Sequence, residues 1–153
     1  MKKLFLFITV SVLTLSISSC SKDDATPSIG GTVTLKINGT AKTFNTVVVD
    51  EQVYEAGTVD EYTELTVTAA IGSSTTEIIT FYVDQEDLGS GAINGFSYSN
   101  GSTLYTSFSS TLNTNVTTNS TGKKLAGNFS GTLTDFNTGN SVAITEGSFN
   151  IQY

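Results

Sequence analysis

From Thr32 to Ile37 apolar and polar residues alternate: Val33, Leu35 and Ile37 against Thr32, Thr34 and Lys36. A period of two sends successive side chains to opposite faces, so the pattern predicts a strand with one buried face. Asn38-Gly39 follows. Both residues accept the positive φ of a tight hairpin, which makes Thr40–Val49 the predicted return strand. The rhythm returns at Leu65, Val67, Ala69 and Ile71, pauses at Gly72-Ser73-Ser74, and resumes at Ile79, Phe81 and Val83, with Thr80 and Tyr82 outward. Asp84–Gly89 reads as a polar turn, because it lacks the alternating acids and closing glutamate of an EF-hand loop. Ile93–Tyr98 and Thr103–Ser109, joined by Asn100-Gly101, predict another hairpin, carrying Phe96, Tyr98, Tyr105 and Phe108. Leu112–Thr118 is rich in Thr and Asn and reads as an edge strand, guarded by Lys123 and Lys124.

The last segment is the most regular. Leu125, Phe129 and Leu133 share a face with Gly127 and Gly131; Asn137–Asn140 turns the chain; Val142 and Ile144 then lead to Phe149, Ile151 and Tyr153. The step from Ile144 to Phe149 is odd, so a β-bulge near Glu146-Gly147 is needed to keep one face apolar. No stretch carries a helical apolar period. The chain therefore reads as all-β: an antiparallel β-sandwich of about eight to ten strands built from hairpins, with an up-and-down barrel as the alternative.

The first residues follow another pattern. Met1-Lys2-Lys3 precedes an apolar run from Leu4 to Ile17 that ends in small residues against the chain's single cysteine, Cys20. This is the layout of a signal peptide, and the run falls short of the about 20 apolar residues of a membrane-spanning helix. Residues 1–19 are accordingly predicted to be removed, residues 20–28 to form a flexible tether, and residues 29–153 to fold. Ile17-Ser18-Ser19-Cys20 resembles the lipobox of bacterial lipoproteins. That likeness implies a diacylglycerol thioether on Cys20 Sγ and a further acyl chain, of the palmitate class, on the freed amine. At about 0.8 kcal/mol per buried methylene, two or three chains make a lasting membrane-lipid anchor. Lys22, Asp23 and Asp24 resemble the export signal that places Bacteroidota lipoproteins on the outer membrane, facing the cell exterior.

Composition removes whole classes of chemistry. Lipidation consumes the only thiol, so disulfides and cysteine nucleophiles are excluded. There is no histidine, hence no serine triad and no histidine-based metal hydrolysis. There is no arginine. Beyond residue 19, five lysines face fourteen acidic residues, which argues against nucleic-acid partners. The expectation is a non-enzyme with no cofactor. Asp50, Glu51, Glu55, Asp60, Glu61 and Glu64 are candidate calcium ligands, since calcium takes about six to eight oxygens; the competing reading is a solvated connection or edge strand. Tyr98 and Tyr105 are candidates for stacking on a sugar, against the competing reading of cross-strand packing.

Thr34-Leu35-Lys36-Ile37-Asn38-Gly39, Gly127-Asn128-Phe129-Ser130-Gly131-Thr132-Leu133, Asn137-Thr138-Gly139 and Ile144-Thr145-Glu146-Gly147-Ser148-Phe149-Asn150-Ile151 together resemble an uncharacterised Bacteroidota lipoprotein family. Its members join a lipobox to a small β domain that opens with an Ile-Asn-Gly hairpin and closes with a Gly-x-Phe-Asn-Ile-x-Tyr strand. The likeness covers both ends of the domain; from Asp50 to Thr121 it extends only to strand rhythm. It implies fold and location and carries no site residue. Three functions follow. The first is a non-catalytic surface lipoprotein whose domain binds an outer-membrane protein or a glycan. The second is a small-ligand carrier with a barrel cavity. The third is a glycan hydrolase using two carboxylates drawn from Asp50–Glu64.

Overall fold

The computed structural model describes residues 30–108 and 111–153. Cys20, Lys22, Asp23 and Asp24, with the signal and tether boundaries, lie outside the described residues. Ten strands and no helix make up the described chain: β1 (Gly31–Ile37), β2 (Thr40–Phe44), β3 (Thr46–Tyr54), β4 (Tyr62–Ala70), β5 (Glu77–Asp84), β6 (Ile93–Asn100), β7 (Thr103–Thr106), β8 (Leu112–Ser120), β9 (Lys124–Thr134) and β10 (Ser141–Gln152). All pair antiparallel in one sheet, in the order β2-β1-β10-β9-β7-β6-β5-β4-β3, with β8 also on β9. The sheet curls into a half-barrel. The fold is all-β with ten strands, within the number expected, and its curled sheet fits the sandwich and barrel alternatives that the alternation leaves open.

The predicted turns fall where glycine chemistry puts them. Asn38 and Gly39 take φ of 48° and 81°. Asn38 also fastens the turn to β10: its N–H donates to the Ala143 carbonyl at 2.9 Å and its Oδ1 accepts from the Ala143 N–H at 2.9 Å. The return strand is shorter than Thr40–Val49. It breaks at Asn45, whose N–H donates to the Ala70 carbonyl at 3.0 Å, and the chain crosses there from one end of the sheet to the other. The bulge is present as well: the β9/β10 register shifts between Ile144 and Gly147, and Glu146 takes φ of 53°.

The concave face is apolar through its centre, with Glu77–Lys42 and Glu51–Lys123 ion pairs towards its margins. Val33, Phe44, Leu65, Val67, Ala69, Ile79, Phe81, Val83, Leu125, Leu133 and Ile144 have no measurable exposure. Phe81, Phe96, Phe129 and Phe149 form the centre, with ring centroids 4.8–6.3 Å apart. On β9 and β10 each phenylalanine stands opposite a glycine, Phe129 against Gly147 and Phe149 against Gly127. A Cβ on Gly147 would meet the Phe129 carbonyl at 2.4 Å, and one on Gly127 would meet the Phe149 ring at 2.5 Å. The glycines therefore leave the space in which the rings lie flat against neighbouring backbone, the arrangement by which aromatics protect sheet glycines.

Candidate interaction surfaces

The sequence-predicted residues fall into three places. Tyr98 and Tyr105 are cross-strand partners on β6 and β7 with rings stacked at 6.0 Å. Tyr98 faces inward and is 2% exposed, which removes it from any outward sugar platform; Tyr105 is half-buried beside it. Cross-strand packing is the role the structure gives this pair. The Tyr98 hydroxyl donates to Glu77 Oε1 at 3.2 Å, and the same oxygen accepts from Lys42 Nζ at 2.5 Å. Burial, the Glu77 charge and the hydrogen bond to it push the Tyr98 hydroxyl up to about 12, since all three favour the neutral phenol.

The six carboxylates between Asp50 and Glu64 are spread along a hairpin. Asp50 is exposed on the outer face of β3, and Glu51, one residue on, faces inward and pairs with Lys123. Glu55 sits in the turn with φ of 52°. Asp60 is in the same turn, its N–H held by Thr58 Oγ1 at 3.2 Å. Glu61 accepts the Gly57 N–H at 2.6 Å, and Glu64 lies on the outer face of β4. Among the described residues no three acidic, histidine or cysteine side chains converge on a common point. Asp50 and Glu51 belong to the edge strand β3, Glu55, Asp60 and Glu61 to its turn and Glu64 to the neighbouring β4, close to the competing reading of the acidic stretch.

That hairpin projects past the core. Val47 and Val49 on β3 face Ala69 and Val67 and are buried. Two residues later the same face carries Glu51, and then Val53 at 48% exposure. The alternation continues with no opposite wall to bury it. Lys123, in the turn before β9, reaches across to Glu51 at the rim and stands over the Tyr153 ring, 5.2 Å from its centroid. Beyond that rim Tyr54 and Tyr62 pair in register and stack at 5.1 Å with an interplanar angle of 15°. Both remain exposed, and Val59 in the turn is fully so.

The Tyr62 hydroxyl is raised above its ordinary value, first by desolvation and then by the charges of Asp84, Tyr54, Glu64 and Glu55. Glu64 stands directly opposite Asp84 on the outer face. The sequence places both tyrosines at the ends of an acidic stretch, and only pairing of β3 as far as Tyr54 brings them together. The usable signal is Val53-Tyr54 and Tyr62-Thr63 flanking a turn that contains Gly57.

A second exposed apolar area lies on the outer face, where Tyr82, Leu104 and Phe108 surround a shallow hollow of about 270 Å³ above Gly95. Phe108 is 95% exposed. Tyr82 covers Gly95, its partner in register, closely enough that a Cβ there would sit 3.3 Å from the ring. A polar hollow of about 450 Å³ opens beside Gly30, Thr32, Asn150 and Gln152. Comparison of the chain with protein-family models, curated proteins and solved structures returns no match.

Proposed function

We propose that this chain is a non-catalytic lipoprotein of the Bacteroidota family it resembles, held on the outer face of the outer membrane by acylated Cys20, with its β domain acting as a binding module. The observation that carries the reading is the distribution of apolar surface on the folded domain. Inside, four phenylalanines pack ring against ring, which favours a filled interior over a carrier's cavity. Outside, aromatic and aliphatic side chains are displayed at the β3–β4 tip and around Phe108. Exposed apolar groups of this size on a small domain mark contact surfaces.

Nine residues from Cys20 to Ser28 reach about 30 Å when extended, enough to lift the domain clear of the headgroups. Replacing Cys20 by alanine is expected to move the protein from the membrane fraction to the soluble one. Protease added to intact cells is expected to degrade the wild-type protein. Membrane retention of the alanine variant, or protection of the wild type, overturns the proposal.

A further inference from the structure

The charge of this domain is unevenly placed. Between Lys42 and Lys123 there is no lysine or arginine, and ten carboxylates fall in that interval. Lys36, Lys42 and Lys123 are each committed to an ion pair, with Glu146, Glu77 and Glu51 respectively. Among the described residues no ion pair engages a carboxylate on the outer face of the β3–β4 tip.

Three observations meet there. In register, Gln52, Glu64 and Asp84 form one row across β3, β4 and β5. Two like charges directly opposite on a sheet repel, and Asp84 Oδ1 is shielded from solvent with no hydrogen-bond donor. The stacked Tyr54 and Tyr62 rings, the next pair along β3 and β4 towards the turn, offer exposed aromatic surface. Finally, among the described residues β3 ends the sheet and pairs with β4 and no other strand, so its outer edge can receive a further one.

We propose that this tip docks a basic, extended segment of a partner protein, which pairs along the edge of β3 and lays an arginine or lysine between the Glu64–Asp84 row and the Tyr54–Tyr62 rings. The proposal deepens the binding-module reading and rests on it. A long cationic side chain crosses Gln52 with its aliphatic stem on the sheet and its charged head at the carboxylates, while the tyrosine faces add a cation–π contribution. A metal ion would engage the carboxylates but leave the aromatic pair and the strand edge unused. A second copy of this chain, itself strongly acidic, would be repelled.

The test is a fluorescence-anisotropy titration of the purified full-length protein with a labelled short peptide alternating arginine and threonine, beside the same peptide with glutamate for arginine. The basic peptide is expected to bind, and increasing salt to weaken it. The acidic peptide is expected not to bind. The double variant Glu64→Gln/Asp84→Asn and the single variant Tyr62→Ser are each expected to lose about tenfold in affinity, and Lys124→Gln to lose none. Thermal melts check that the variants remain folded.

Equal binding of both peptides, undiminished binding by the folded variants, or no binding by the wild type overturns the docking site. So does saturable calcium binding that the basic peptide fails to displace. Failure of peptide binding by a wild-type protein that is still membrane-held and open to external protease removes this inference alone. Retention of the Cys20→Ala variant in membranes removes the anchor reading and leaves the docking result standing.

Discussion

The two ends of β3 show what a strand gains from an opposing wall. Val47 and Val49 lie on one face of it, Glu51 and Val53 continue the same face, and all four belong to one unbroken pairing with β4. The first two are buried and the last two are not. Backbone pairing with β4 is continuous along the strand; only the cover over its inward face changes. Hydrophobic burial thus depends on curvature of the sheet, while strand formation persists beyond it and leaves the apolar side chains of the tip exposed.

Changes at the core should have the largest effects. Phe129→Ala removes the ring that touches both Phe96 and Phe149. It is expected to cost about 3–5 kcal/mol in urea-denaturation stability; a loss no greater than that of a surface substitution would mean that the aromatic centre does not hold the curl together. Next in size is Gly147→Ala, in which the added methyl meets both the Phe129 backbone and its ring. About 1–3 kcal/mol is expected, and more if the bulge itself must move.

A smaller, pH-dependent effect is expected at Tyr98. Its folded-state hydroxyl is raised to about 12, so the stability it contributes is fully present below the ordinary tyrosine value near 10 and is lost as pH rises through about 12. Tyr98→Phe should flatten that part of the stability curve in urea melts across the alkaline range; an unchanged alkaline slope would assign it to other groups. Smallest of all, Val59→Ser at the exposed turn should stay within about 0.5 kcal/mol of wild type. A clear loss of thermal stability there would mean that the tip packs against the body and that the contrast between the two ends of β3 is false.

Alternation made most of the fold legible. It placed the inward residues of β1, β4, β5, β9 and β10, and the odd step before Phe149 located the bulge. The crossing at Asn45 was also written there, as a change of parity: the buried positions run through Phe44 and then Val47, an odd step like the one that marks the bulge. In a sequence rich in valine that step reads as continuous strand. The cross-strand packing of Tyr98 and Tyr105 is borne out, and parity explains its side: Phe96 and Tyr98 share parity, and register brings Tyr105 to the same face. The acidic stretch hid the tyrosine pair for a different reason. Charge density suggests a loop, but strand pairing needs only backbone, and an edge strand beyond the core tolerates carboxylates on both faces. No count of charges reveals that Tyr54 and Tyr62 become neighbours.

The pairing of β1 with β10 has a consequence in time. Gly31 meets Ile151 and Val33 meets Phe149, so the first described hairpin has its principal partner in the last described strand. Strands so distant in sequence close slowly. Until β10 arrives, the β1–β2 hairpin and the glycine-faced side of β9 both lack a neighbour, and the phenylalanine cluster lacks Phe149. A chain made from its N-terminus would therefore remain open and adhesive until β10 is made, and only then close its core. Deleting β10 should yield an aggregating chain rather than a smaller domain, and a factor that shields the first hairpin until then should raise the yield of folded protein.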